Sequence, residues 1–449
     1  MNERTIAAIS TPAGVGGIGI VRISGEDAAT VADRVFKSVS GKLLKDSAGY
    51  TAHYGNVAFE GEVIDDAVAL VFVAPKSYTG ENVVEISCHG GTAVMRKVLR
   101  AVLQNGAVAA EAGEFTKRAY LNGKLDLASA ETVINVINAN SGRALTQANS
   151  ARARLYEKIE ALRAKLINMA AEIGAVADYP DEEVDGADMQ TVEPRIAEIS
   201  AELQKMLADY DTGCLIRDGI DTAIVGSPNV GKSTLMNLLS GTERSIVTPV
   251  AGTTRDIIRE TVSIGDITLN ICDTAGIRDT DDAVEKIGVD LSKRELAAAR
   301  LVLAVCDISR PLDSEDREIL NLCRSRNAVI IVNKTDLTPA FPIAELEEFA
   351  LPIVELSAAS GEGLEKLKKC IEEITGIVSL SSETAVLQNE RQHSCIIKAK
   401  ECVDSAKGAM LDVQGMLLQD AANCLNEVAG IQLSAEVADE IFKNFCVGK

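Results

Sequence analysis

The sequence predicts a multidomain protein of mixed class, α/β plus all-α. An N-terminal α/β domain precedes a helical bundle into which a second α/β module, with a doubly wound and mostly parallel sheet, is inserted. Three observations predict it. Strand-like apolar runs alternate with helical stretches in two separate regions, 1–118 and 217–377. In 119–216, and again in 378–449, apolar residues recur at three- and four-residue spacing. A chain of 449 residues is also long enough for several cores.

In 1–118 the runs Thr5–Ile9, Gly19–Ile23, Ala67–Ala74 and Asn82–Ile86 read as strands between Gly/Pro turns, with helical stretches near Ala28–Phe36 and Ala93–Gln104. In 119–216, Leu155, Ile159, Leu162, Leu166, Met169, Ile173 and Val176 form a heptad-like stripe that Tyr179-Pro180 ends. Ile196, Ile199, Leu203, Met206 and Tyr210 form a second stripe. Such stripes are the core-facing seam of a helical bundle. In 217–377, Thr222–Val225, Thr268–Cys272, Leu301–Cys306, Ala328–Val332 and Ile353–Leu356 are apolar strands separated by helical stretches, the pattern of a parallel sheet covered on both faces. From 378 to 449 helical patterning resumes, with Val437, Ile441 and Phe445 at four-residue spacing. The simplest architecture packs these last helices beside those of 119–216, so that the second α/β module loops out between two halves of one helical domain.

Composition narrows the function. Hydrophobic residues make up 47% and charged residues 25%, which excludes a disordered or collagen-like chain. Lys plus Arg is 45 against 66 for Asp plus Glu, a net charge of −21, so any nucleic acid must be met by a local basic patch or by a partner. Trp is absent and aromatics are 3%, which disfavours a base-stacking platform. The N-terminus has no basic segment leading into an apolar core, and no apolar run reaches the roughly 18 residues of a membrane span. The ten cysteines run singly from Cys88 to Cys446 with no C-x-x-C spacing, so neither a zinc ribbon nor a short-range disulfide framework is expected. A reducing cytoplasmic location without membrane contact fits best.

The second α/β module carries the chemistry. Gly226-Ser227-Pro228-Asn229-Val230-Gly231-Lys232-Ser233 fits G-x-x-x-x-G-K-[ST] between a strand and the helical run opened by Thr234. Its glycines let backbone N–H groups turn toward phosphate, and the helix N-terminus adds partial positive charge. Lys232 would reach the β- and γ-phosphates and Ser233 would ligate magnesium. Asp273-Thr274-Ala275-Gly276 ends a strand, where Asp273 can hold magnesium through water and the Gly276 N–H can face the γ-phosphate. Asn333-Lys334-Thr335-Asp336 ends a later strand, and a carboxylate there pairs with the N1–H and exocyclic amine of guanine. Adenine has no such donor pair, so the site selects GTP over ATP. Ser357-Ala358-Ala359 would offer a backbone N–H to the guanine oxygen.

Gly252-Thr253-Thr254-Arg255-Asp256 lies where a switch threonine is expected; Thr254 is the natural magnesium ligand and Thr253 the neighbouring candidate. Ile277 stands where many small GTPases place a water-orienting glutamine, so another group must do that work, and the acidic stretch Asp279–Glu285 is the nearest supply. One motif is a decoy. Gly14-Val15-Gly16-Gly17-Ile18-Gly19 satisfies G-x-G-x-x-G, but a strand follows it rather than the helix that a dinucleotide fingerprint requires. The three histidines are far apart in sequence, and His89, flanked by glycines, reads as structural.

These motifs, with Gly113-Glu114-Phe115-Thr116-Lys117-Arg118-Ala119-Tyr120-Leu121-Asn122-Gly123-Lys124, Ser77-Tyr78-Thr79-Gly80-Glu81, Cys88-His89-Gly90-Gly91, Tyr179-Pro180-Asp181-Glu182-Glu183 and Phe445-Cys446-Val447-Gly448-Lys449, resemble the MnmE (TrmE) family of bacterial tRNA modification GTPases. That family lies within the TrmE-Era-EngA-YihA-Septin-like superfamily, and the resemblance covers essentially the whole chain. Ala112 where proline is common and Val447 where isoleucine is frequent are small departures that change no polar group.

The resemblance implies a homodimeric, potassium-activated GTPase whose nucleotide modules dimerise. It places Asn229, Thr248, Val250 and Thr253 around potassium and extends the nucleotide-contacting stretch through Pro249 and Ala251. It makes Glu285 the water-orienting glutamate. For the N-terminal domain it implies dimerisation and a folate-binding fold that takes a one-carbon tetrahydrofolate, with Arg22, Glu85, Lys124 and Lys449 at folate-contacting positions and Cys446 a catalytic candidate near that pocket. It further implies a heterotetramer with the flavoprotein MnmG and a carboxymethylaminomethyl-type group added at carbon 5 of the wobble uridine of tRNA. The rival expectation is a potassium-dependent switch GTPase of ribosome assembly, which binds RNA without transfer chemistry.

Overall fold

The computed structural model describes residues 4–178, 189–242, 260–271, 299–377, 380, 384–430, 441–443, 445 and 447–448. They fall into two compact units, one from Met1–Ile134 and Ala429–Lys449, the other from Asn135–Val247 and Gly252–Val428.

In the first unit, β1 (Ile6–Ile9), β2 (Gly16–Ser24), α1 (Ala28–Val35), β3 (Phe36–Ser38), β4 (Thr51–Phe59), β5 (Glu62–Phe72), β6 (Val83–Gly90), α2 (Thr92–Gln104), β7 (Val108–Ala109) and α3 (Glu114–Leu121) precede α4 (Leu127–Asn138). The seven strands form one sheet in the order β3-β4-β5-β6-β2-β1-β7. The two-residue period of β2 sends Val21 and Ile23 to the core beneath α1 and α2, with Ala69, Val71, Val84, Ile86, Val31, Val98 and Val102. Arg22 therefore points to the opposite face. Ile6, Ala8, Ala110 and Phe115 form a smaller cluster, and Leu127 and Ala130 pack with Phe442 and Phe445. Strands β3, β4 and β7 are additions to the sequence expectation. In β4 only Gly55 and Val57 are buried, so that segment lacks the apolar run that marked its neighbours. Gly16–Gly19 lie within β2, not before a helix.

The second unit opens with α5 (Gly142–Asp178) and α6 (Met189–Asp218), followed by β8 (Ile220–Val225), α7 (Lys232–Thr242), β9 (Glu260–Ile264), β10 (Ile267–Ile271), β11 (Leu301–Asp307), α8 (Ser314–Cys323), β12 (Ala328–Asn333), β13 (Ile353–Glu355), α9 (Leu364–Thr375), α10 (Glu390–Ala406) and α11 (Leu411–Ala429). Leu155, Ile159, Leu162, Leu166, Met169 and Ile173 are buried along α5, as are Ile196, Ile199, Leu203 and Met206 along α6, while Val176 and Tyr210 are half-buried. The Tyr210 ring stacks on His393 of α10 at 4.3 Å. Tyr179-Pro180 and Val437 lie outside the described residues.

The sheet order is β13-β12-β11-β8-β10-β9. Every described pairing in it is parallel except the β9–β10 hairpin. Strands β11 and β12 are buried along their whole length, as central strands of a covered parallel sheet must be. Among the described residues no helix is long and apolar enough to cross a membrane.

One ion cluster ties α10 to α6. The Asp404 carboxylate accepts from Lys400 Nζ at 2.6 Å, Lys407 Nζ at 2.5 Å and Ser200 Oγ at 2.6 Å. Burial opposes its ionisation, but these three donors outweigh burial and hold the carboxyl well below its usual range. A carboxyl depressed in the folded state adds stability above its unfolded pKa of about 3.9 and loses it as pH falls through the folded value. The thermal-stability gap between wild type and Asp404→Asn is therefore expected to be full at pH 7 and to narrow below about pH 4. A gap that stays constant down to pH 2 would contradict the ion cluster.

Candidate functional site

The loop after β8 is shaped by two glycines. Gly226 has φ +155° and Gly231 φ +99°, and a Cβ would run into Val305 O at the first and Asn333 Nδ2 at the second. Asn229 sits between them at φ +63°. The curl this produces leaves backbone amides to face a ligand, and α7 begins at Lys232 with Ser233 and Thr234 exposed in its first turn. Lys232 Nζ folds back over the loop and donates to Gly226 O at 2.6 Å and Ser227 O at 2.9 Å. Burial pushes its ammonium pKa down, opposed by the nearby Glu315 and Asp316 carboxylates. Its positive charge thus stands in a cradle of the kind a polyphosphate fills, beside Ser233 at the helix start.

The candidate base-recognition residues reach this loop from two other strands. Asn333, at the end of β12 and 2% exposed, donates from Nδ2 to Val230 O at 2.9 Å and accepts from Ala358 N at 3.0 Å. Lys334, at φ +63°, donates from Nζ to Asn229 O at 3.0 Å and to Asp307 Oδ2 at 2.5 Å. Asp336 is exposed, and its Oδ1 accepts from Ser357 Oγ at 2.7 Å. Within the Ser357–Ala359 turn, Ser357 N bonds Glu362 O and Ala358 N bonds Asn333, which leaves Ala359 as the motif amide to offer to a base oxygen.

The phosphate-loop motif is thereby joined to two others that lie about a hundred residues further along the chain. Asp307, at the end of β11, was not a sequence candidate. Burial opposes its ionisation, but bonds from Lys334 and Ser309 hold it below the usual carboxylate range. A sequence signal for it exists only in hindsight, as the acidic end of a wholly apolar strand. Thr248, Pro249, Val250, Ala251, Gly252, Thr253, Thr254, Asp273, Thr274, Ala275, Gly276 and Glu285 lie outside the described residues, as do Cys446 and Lys449.

In the first unit Arg22 on β2 and Glu85 on β6 are cross-strand partners, with Nε to Oε1 at 2.8 Å. The Arg22 guanidinium also donates to Gly448 O at 3.3 Å and lies 5.5 Å from the Tyr78 ring and 5.6 Å from that of Phe115. Lys124 is exposed and donates to Pro75 O at 3.1 Å. Two sequence motifs interlock here. Arg118 donates to both Glu81 oxygens, at 3.2 and 3.0 Å, and to Glu114 Oε1 at 2.8 Å. Tyr78 and Thr116 share a hydroxyl bond of 2.9 Å, and Asn122 Nδ2 donates to Thr79 O at 2.7 Å. The i,i+4 spacing of Glu114 and Arg118 was a legible hint; the Glu81 contact was not. His89 is exposed and bonded to Asp65, whose carboxylate raises the imidazole pKa.

The chain matches two family models, "GTP-binding protein TrmE N-terminus" over residues 5–124 and "MnmE helical domain" over residues 127–446. The tRNA modification GTPase MnmE of Clostridioides difficile is 40% identical over 456 residues, covering 100% of this chain and 99% of that protein. The protein of the same name from Symbiobacterium thermophilum is 42% identical, covering 100% of both chains. That of Geobacter sulfurreducens is 41% identical, covering 100% of this chain and 99% of the relative. Among solved structures, the G domain of the T. maritima FeoB iron transporter aligns over 34% of this chain and 98% of its own at 26% identity, with a TM-score of 0.27, too low to carry weight. Aligned end to end with these relatives, the chain is a GTP hydrolase and belongs to the MnmE family of tRNA modification GTPases.

Proposed function

We propose that this chain hydrolyses GTP to drive modification of the tRNA wobble uridine, acting in the cytoplasm with the flavoprotein MnmG to add a carboxymethylaminomethyl-type group at carbon 5. The observation that supports this most is the coverage: relatives named for tRNA modification align over the N-terminal, helical and nucleotide-binding parts together. In this reading Asp336 accepts from the guanine N1–H and amine, and Lys232 turns from its own loop carbonyls to the β- and γ-phosphates.

Ser233 and Thr254 would hold magnesium, and Asn229, Thr248, Val250 and Thr253 potassium; bound there, the two cations offset charge that develops on the phosphates. Glu285 would orient the attacking water. Arg22, Glu85, Lys124 and Lys449 would hold a one-carbon tetrahydrofolate, the source of the added carbon, with Cys446 a candidate beside it. Arg22 already occupies Glu85 Oε1, so a pterin amine must meet the other oxygen or displace the guanidinium. A homodimer joined to MnmG as a heterotetramer accommodates the net charge of −21, since the partner can present the positive surface that tRNA needs.

The test is nucleoside mass spectrometry on tRNA from cells lacking the protein. The modified wobble uridine is expected to disappear, to return with wild type, and not to return with Glu285→Ala, whose purified form binds GTP but turns it over at least about tenfold more slowly. Unchanged tRNA would overturn the proposal and favour the ribosome-assembly reading.

A further inference from the structure

A buried carboxylate outside the nucleotide motifs grips the phosphate loop. Asp316, on α8, is 3% exposed, and its Oδ1 accepts from Ser227 Oγ at 2.6 Å and from Arg310 Nη2 at 2.9 Å. Its Oδ2 accepts from Asp313 N at 3.2 Å, while Asp316 N donates to Asp313 Oδ1 at 2.9 Å, a reciprocal cap that fixes the first turn of α8. Arg310 also bonds Asp313 Oδ2 at 2.6 Å. The carboxylate is therefore held on three sides by hydrogen-bond donors, which a buried polar group requires.

Ser227 occupies one of the freely variable positions of the phosphate-loop motif, and it is 2% exposed. The second half of the loop is tied to the base-recognition cluster, through Val230 O to Asn333 and Asn229 O to Lys334. The first half is tied by Lys232, which bonds Gly226 O and Ser227 O. A phosphate competes for that same ammonium. When Lys232 turns to it, both of those bonds are lost, and the Ser227 hydroxyl on Asp316 is what still anchors the start of the loop.

We infer that Asp316 is a positioning residue for the phosphate loop, holding Ser227 so that the loop keeps its shape as Lys232 transfers to an incoming nucleotide. Arg310 acts behind it by orienting the carboxylate. The inference rests on the GTP-hydrolase assignment and is independent of potassium, folate and the partner flavoprotein.

Steady-state GTP hydrolysis by the full chain tests it, with circular dichroism to establish folding. Ser227→Ala leaves Asp316 with Arg310 and the α8 cap, so it deletes the tether alone. It is expected to raise KM for GTP about tenfold, the scale of one hydrogen bond to a charged group, with most of the change in KM rather than kcat. Asp316→Asn should move KM in the same direction. Ser227→Thr keeps the hydroxyl and is expected to restore KM to within about twofold of wild type. An unchanged KM in folded Ser227→Ala, or a Ser227→Thr protein as impaired as Ser227→Ala, overturns the inference. Wild-type hydrolysis in the same assay separates that result from a failure of the GTPase assignment itself.

Discussion

Replacing Asp336 by alanine is expected to raise KM for GTP by about a hundredfold or more while leaving the fold intact. The carboxylate is exposed, so its loss removes no core packing. Among the described residues its side-chain bond, from Ser357 Oγ at 2.7 Å, orients it without occupying both oxygens. A carboxylate facing two adjacent donors forms a pair of charge-assisted bonds, and deleting it leaves both guanine donors without a partner. Asp336→Asn sharpens the test, because an amide nitrogen donates where the carboxylate accepted. That variant should lose GTP and gain a base that carries a carbonyl at the same edge. Nucleotide titration with GTP and xanthosine triphosphate measures both. A KM for GTP within threefold of wild type would remove Asp336 from the base site.

Gly231→Ala should be more severe, because it damages both backbone and network. Gly231 lies at φ +99°, a region in which an alanine is strained by about 1–3 kcal/mol. The added Cβ would also strike Asn333 Nδ2, the atom that holds Val230 O. Displacing the buried Asn333 frees the Ala358 amide as well, so one methyl group separates the phosphate loop from the base cluster. The expected outcome is a destabilised protein whose melting temperature no longer rises with GTP, since a ligand stabilises only the state it binds. Gly241→Ala is the control: its Cβ meets nothing within 4 Å, and alanine suits a helix. Normal GTP-induced stabilisation of Gly231→Ala would contradict the coupling of loop and base cluster.

Much of this protein was legible without coordinates, and the reason is locality. The phosphate loop, Asn333–Asp336 and Ser357–Ala359 each carry their chemistry in contiguous residues, so a motif and its strand or helix can be read together. The stripes of α5 and α6 were legible because one helical period repeats many times, and their residues from Leu155 to Ile173 and Ile196 to Met206 are buried as the spacing implies. Strands β4 and β9 were missed for the converse reason. Neither carries an apolar run, with TAHYGNVAF in the first and ETVSI in the second, and it is pairing with β5 and β10 that makes them strands.

What only the tertiary structure decided are the contacts between segments distant in sequence. Asp316 meets Ser227 across 89 positions, Asp307 meets Lys334 across 27, and Glu81 meets Arg118 across 37. In the sequence each of these carboxylates is one among 66 acidic residues. Burial and the sheet order distinguish them: β8, β11 and β12 lie side by side, so the segments that follow their carboxyl ends converge on the same edge. Residue type and local period mark the segments proposed to carry phosphate and base chemistry, because both are short-range properties of the chain. Which charges hold those segments in place was decided by packing, since a carboxylate acquires that role only when the fold removes it from water and sets a donor beside it.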